Sequence, residues 1–203
     1  MTNFKPKTVK DFKIILKDLE PYVKNPELLR TGREFKELKL RPREVWGNWL
    51  LCVVLRKIYG ENITFGGDGV NDGIILDKNT GEWFPLEHVS ALDNPFNKQP
   101  KGEERIIQAI NKKIEKGIEY AKGKWLVVFF DGAEEFFRSK IRENIKGRHG
   151  FPAVYCIGLL TVNDQGYTYI VTEYKDSHGD KSKSFTVKIN ADFTDWEVFP
   201  VTE

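Results

Sequence analysis

The chain has 203 residues, of which 40% are hydrophobic and 31% charged, and it carries 5 Trp, 7 Tyr and 14 Phe. That length suits one domain with its own core, and so many aromatics exclude a disordered chain. No apolar run approaches the roughly 18 residues of a membrane span. The opening MTNFKPKTVKDF lacks the apolar stretch of a secretory signal, so a cytoplasmic protein without membrane association is expected.

The net charge of +2 hides an alternation. Residues 1–60 hold 14 Lys/Arg and 7 Asp/Glu, residues 61–100 hold 2 and 7, residues 101–150 hold 12 and 8, and residues 151–203 hold 4 and 8. An acidic block between basic ones fits a carboxylate site flanked by phosphate-binding surface, and it equally fits lysine-rich solvated helices. Cys52 and Cys156 lie in the apolar runs WLLCVVL and AVYCIGLL and read as small buried hydrophobes. The three histidines are far apart in sequence, which argues against a Cys/His zinc site.

Taken in chain order, residues 8–20 place Val9, Phe12, Ile15, Leu16 and Leu19 at helical spacing, with Pro21 as the stop. Residues 22–42 are charged and read as irregular surface chain. Arg43 to Ile58 predicts a largely buried helix, because Val45, Trp49 and Val53 form one row and Trp46, Leu50, Val54 and Ile58 the next. A short strand at Ile63–Phe65 leads into GGDGVNDG, which must turn. Ile74–Leu76 and Trp83–Val89 predict a hairpin across Lys78-Asn79-Thr80-Gly81, with Pro85 pointing to an edge or a bulge. Residues 92–102 read as a loop and Glu103–Ala121 as one long helix. WLVVFF (125–130) has the pattern of a strand buried on both faces. Ala133–Ile145 predicts a helix with Phe136, Phe137, Ile141 and Ile145 inward. AVYCIGLL (153–160) is a second central strand, and three further strands follow, at 167–174, 184–189 and 196–201. Helices alternating with strands predict an α/β fold with a mixed central sheet flanked by helices.

The chemistry concentrates in residues 66–89, GGDGVNDGIILDKNTGEWFPLEHV. A glycine-rich turn presents Asp72 at the mouth of one strand, and Glu87 lies on the hairpin partner. Neighbouring strands run about 4.8 Å apart, so the two carboxylates can share a cation, and a hard divalent ion such as Mg²⁺ suits them. Asp68 reads more simply as an Asx-turn residue and Asp77 as part of the hairpin turn. There is no P-loop and no nucleophile elbow, and GGDG precedes a strand, not the helix of a dinucleotide fingerprint. The KGRHGFP run (146–152) reads as a surface loop, and the aromatics of WGNWL read as core.

The segment resembles the PD-(D/E)XK nuclease superfamily, whose core runs helix, three meandering strands, helix, strand. GGDGVNDGII is similar to the turn of Mrr-type restriction endonuclease domains. The resemblance covers about half the chain. It implies a restriction-endonuclease-like core over residues 43–160, a helical extension over 1–42 and a β-rich extension of the same domain over 161–203. It implies a DNA nuclease dependent on Mg²⁺ or Mn²⁺, with Asp72 and Glu87 as metal ligands, in restriction, phage defence or repair. Glu44 matches the helix-borne third carboxylate of some members, although an acid there also suits a helix N-terminus. Gln108 matches a helix-borne Gln of related nucleases, although an exposed helix position explains it as well. Many such nucleases pair as homodimers to cut both strands.

The departure is Val89, which stands where the family places its lysine. In the family that lysine helps to activate water and opposes transition-state charge. Three readings remain open. Another cation substitutes, with Lys112, Lys113 and Lys98 as candidates. Or His88 acts, although a regular strand turns it away from Glu87. Or catalysis is lost, and the chain is a nucleic-acid or protein-binding module. A phosphoesterase acting on small molecules is a weaker fit.

Overall fold

The computed structural model describes residues 6–92, 100, 102–130, 136–179 and 181–202. Among the described residues one mixed sheet of nine strands runs in chain order: β1 (Lys7–Thr8), β2 (Ile63–Gly67), β3 (Ile74–Asp77), β4 (Trp83–Ala91), β5 (Trp125–Phe130), β6 (Ala153–Asn163), β7 (Gly166–Tyr174), β8 (Lys183–Asn190) and β9 (Trp196–Val201). Only β4–β5 and β5–β6 are parallel; every other neighbouring pair is antiparallel. The helices are α1 (Phe12–Val23), α2 (Pro26–Thr31), α3 (Pro42–Tyr59), α4 (Gly102–Ile114), α5 (Ile118–Ala121) and α6 (Arg138–Ile145).

The sheet separates two apolar cores. On one face α1 and α3 pack against Phe65, Val127, Tyr155, Tyr169 and Ile189. On the other, Ile106 and Ile110 of α4 and Ile141 and Ile145 of α6 pack against Leu126, Val128, Val154 and Cys156. The alternating residues of β5 therefore divide between the cores, which is why its sequence reads as a continuous apolar run. Both cysteines are free and buried. Among the described residues no helix is long and apolar enough to cross a membrane.

α3 is the centre of the first core. Trp46 and Trp49 stack with ring centroids 5.3 Å apart, and Tyr169 and Trp196 meet them edge-on. The buried Trp49 indole N–H donates to the Phe12 carbonyl at 3.2 Å, which ties α3 to the start of α1.

Several expected boundaries move. Pro21 lies inside α1 and does not end it. It stands on the exposed side, where the carbonyl left without a helical donor can be hydrated. Residues 22–42, expected to be irregular, contain α2. Asn25 caps it by accepting from the amides of Glu27 and Leu28, and Pro26 fits its first turn. The single helix expected over 103–121 breaks in two at Gly117, whose φ is +92°. Of the helix expected over 133–145, residues 131–135 lie outside the described residues and α6 begins at Arg138. Phe137 precedes it with an extended backbone and is exposed, not inward. β4 is an interior strand, yet β5 joins it only from Leu86 onward. Pro85 thus sits where its missing N–H costs the parallel ladder nothing. The residues expected as an extension over 161–203 continue the same sheet as β7, β8 and β9.

Trp49→Ala removes both the buried ring and the tie to α1. It should cost about 3–5 kcal/mol of folding stability, read as a lower urea midpoint.

Candidate active site

The β3–β4 hairpin sets the first two groups. Its register pairs Ile75 with Phe84 and Ile74 with Pro85, and beyond it Asp72 and Glu87 line one cleft. The Asp72 amide donates to Leu86 O at 3.1 Å, and the Leu86 amide donates to Gly73 O at 2.8 Å. Two residues thus face one, a bulge that turns Asp72 inward. Its Oδ2 accepts from the His88 amide at 2.8 Å.

The bulge is held from α3. Asn48 is fully buried in an otherwise apolar stretch. Its Nδ2 donates to Asp72 O at 3.0 Å, and its Oδ1 lies 2.7 Å from His88 Nε2. Because Nδ2 is the donor half of the amide, Oδ1 must accept, and His88 carries its proton on Nε2. Burial drives the His88 pKa down to about 3, so the ring is neutral through the working range. It points to the α3 side of the sheet, away from Glu87. His88 is therefore a packing and hydrogen-bonding residue, turned away from Glu87 as a regular strand requires, and it does not stand in for the lysine. Two glycines make room for this contact. A Cβ on Gly73, at φ +142°, would stand 2.1 Å from Asn48 Nδ2, and one on Gly47 would stand 2.9 Å from His88 Cε1.

The opposite face brings in a cation. Ile106, Ile110 and Lys113 occupy one face of α4, so the stripe that buries α4 ends in an ammonium group. Lys113 Nζ donates to Glu87 Oε1 in a half-buried ion pair. Lys112 is exposed on the next face, and Lys98 lies outside the described residues. Gln108 is exposed as well, about 140° round the helix from Lys113, and does not reach the cleft. Glu44 does reach it. Its Oε2 accepts from the Arg41 amide at 2.8 Å, so it caps α3 while facing Asp72.

Together Lys39, Arg41, Glu44, Asp72, Glu87 and Lys113 line a cleft of about 460 Å³. Its charges are uneven. Burial raises the Asp72 pKa, and the neighbouring Glu87 charge adds to that against the His88 amide, Lys113 and Arg43. Burial likewise raises Glu44, helped by Asp72. Burial also opposes the Glu87 charge, but the Lys113 bond and the Tyr120 hydroxyl outweigh it and hold Glu87 below the ordinary range. Asp72 and Glu44 are thus short of positive charge, and a divalent cation would relieve both.

The turn residues behave differently. Asp68 Oδ1 accepts from the amides of Val70 and Asn71 at 2.9 and 2.8 Å, and its Oδ2 accepts from the Asn71 side chain. Asp77 accepts from the Asn79 amide. Both shape turns. Asn48, Tyr120, Lys39 and Arg41 were not singled out from sequence. A signal existed for Asn48, the one uncharged polar side chain among the apolar residues of VWGNWLLCVVL.

No protein-family model and no curated protein matches the chain. Among solved structures it is similar to the central domain of yeast acetyl-CoA carboxylase, at 8% identity and a TM-score of 0.38, over 70% of this chain and 23% of that one.

Asp72 titrates in the folded state above its unfolded value, so its ionisation disfavours the metal-free fold. Asp72→Asn keeps an acceptor for the His88 amide and removes the charge. It should raise the melting temperature near neutral pH, with the gain vanishing below the ordinary Asp range, where both side chains are neutral. Gly47→Ala should cost about 1–3 kcal/mol through the clash with His88, measured by denaturant titration.

Proposed function

We propose that the chain is a metal-dependent deoxyribonuclease that hydrolyses phosphodiester bonds, with a restriction-endonuclease-like core. The observation that carries this reading is the approach of Lys113 to Glu87 beside Asp72. The ammonium that Val89 denies to β4 is supplied instead from α4. The order α3, β2–β3–β4, α4, β5 also follows that of the nuclease family, and Glu44 and Arg41 extend the cleft at the start of α3.

The donor set suits Mg²⁺ or Mn²⁺. Asp72 commits one oxygen to the His88 amide and keeps the other, and an ionised Glu87 has lone pairs for a cation and Lys113 together. Among the described residues no three such side chains converge as a closed metal site. The remaining ligands would be water and the substrate phosphate, as is usual for Mg²⁺. Bound there, the ion supplies Lewis-acid polarisation and a more acidic water. The chain's own residues do the rest. Asp72 and Glu87 are fixed by the bulge and by Lys113. Lys113 places positive charge where the phosphoryl oxygens gain negative charge. Lys39 and Arg41 face the neighbouring phosphates. His88 and Asn48 hold the geometry and exchange no proton with the substrate.

A second reading is a nuclease-like fold that binds nucleic acid without cutting. It is favoured by the close pairing of Lys113 with Glu87, which would leave the ammonium spent on an internal partner.

The deciding assay offers supercoiled, linear and single-stranded DNA with Mg²⁺, Mn²⁺ or EDTA. The wild type should cut only with metal, and Glu87→Gln should be inactive. Cutting that survives Glu87→Gln would place the chemistry elsewhere, and no cutting on any substrate would favour the binding module. Lys113→Ala should lose about 10²–10³-fold in rate, and adding Val89→Lys should restore part of it, since Val89 faces the α4 core beside Glu87. Binding should weaken steeply with added salt.

A further inference from the structure

On the α4/α6 face of the sheet, away from the carboxylate cleft, two arginines stand over a patch of hydroxyls. Arg138 and Arg142 are four residues apart on α6 and share one helix face. Beneath them the β7–β8 register pairs Thr172 with Ser184 and ends at Glu173 and Lys183, the chain neighbours of Tyr174 and Ser182. Arg138 Nη1 donates to Ser184 Oγ at 2.7 Å, and Ser184 in turn bonds Thr172 Oγ1 at 3.0 Å. Arg142 Nη1 donates to Ser182 Oγ at 3.0 Å.

Among the described residues the two arginines meet hydroxyls and not carboxylates. No ion pair to either arginine is found among the described residues, whereas Lys113 and Lys140 each meet a glutamate. Each guanidinium has five N–H donors, and the serine bond uses one. Like charges four apart on a helix repel, so an anion seated between the two would relieve them. The serines and Thr172 are buried, and the deeply buried Tyr174 hydroxyl has no hydrogen-bond partner although both arginines act on it. The guanidinium groups themselves are only half-buried, so solvent anions reach them.

Two cations, spare planar donors and hydroxyls on one floor are the complement of a tetrahedral oxyanion. We propose that Arg138, Arg142, Ser182, Ser184 and Tyr174 form a phosphate-binding site. Its ligand chemistry is a phosphate group carrying one to two charges, either free or at the end of a nucleic acid. Arg138 and Arg142 would each turn a forked pair of N–H groups to the anion while the serine hydroxyls hold the arginines in place. The site needs neither metal nor cleavage and does not rest on the nuclease reading.

The test is calorimetric titration of the full chain with inorganic phosphate in EDTA, against sodium chloride of matched ionic strength. The α6 arginine variants leave the carboxylate cleft intact, so a loss of binding in them separates this site from the cleft. Arg142→Gln and Arg138→Gln should each lose at least about tenfold in affinity, and Arg142→Lys should recover only part, because it keeps the charge and loses the fork. Ser184→Ala, a smaller change, serves if an arginine variant fails to fold, and it too should weaken binding. Oligonucleotides with and without a 5′-phosphate then identify the source. A preference for the phosphorylated end assigns a nucleic-acid terminus, and equal binding of the two beside tight inorganic phosphate assigns a free anion. The proposal is overturned if phosphate does no more than matched chloride, or if the arginine and serine variants bind as the wild type does.

Discussion

The Asn48 carboxamide lies in the middle of an apolar helix, and both of its halves are used. Its donor holds the Asp72 carbonyl and its acceptor holds the His88 ring. A buried amide with either half unpaired would be costly, so the two contacts enforce one another. Through them the position of α3 fixes the bulge, the bulge fixes Asp72, and the amide after Glu87 fixes the Asp72 carboxylate. Gly47 and Gly73 follow from the same constraint, since both lie where a side chain would push the helix off the hairpin. The Trp46 and Trp49 stack anchors that helix in the core, so the polar clamp borrows its rigidity from apolar packing.

The carboxylates divide their surroundings unequally. Lys113 settles Glu87 as an anion. Asp72 and Glu44 face each other with only partial compensation from Arg43 and the nearby amides. A cleft in this state is electrostatically incomplete and gains most from a small cation of high charge. The half-buried position of Lys113 has a further effect. An ammonium held by Glu87 has few rotamers left to lose, so the cost of ordering it is met in folding.

Much of the hairpin was legible in the sequence, because its signals are local. Glycines and an Asn-Thr-Gly turn mark where the chain must reverse, and alternating apolar residues mark the strands. Asp72 and Glu87 stand out for that reason. Gln108 did not belong with them, because helical phase alone leaves two faces open between Ile107 and Ile110, and only packing chooses. The same packing singles out Lys113 over Lys112, one residue apart. Asn48 was hidden among tryptophans in a helix that reads as core. Its role depends on contacts with residues 24 and 40 positions away, which no local pattern encodes. Pro21 and Gly117 show the converse error. An exposed helix position tolerates the proline, and the positive φ of Gly117 breaks a helix that apolar periodicity alone would continue.

β4 is antiparallel to β3 and parallel to β5, and this double role orders the assembly of the molecule. The hairpin closes a short loop and needs nothing beyond its own turn. The pairing of Leu86 with Trp125 must wait for a crossover that contains α4 and α5. Lys113 lies inside that crossover. A nascent chain that has made only the hairpin therefore displays Asp72 and Glu87 without their ammonium. The crossover that makes the centre of the sheet parallel is thus also the segment that carries the group completing the cleft.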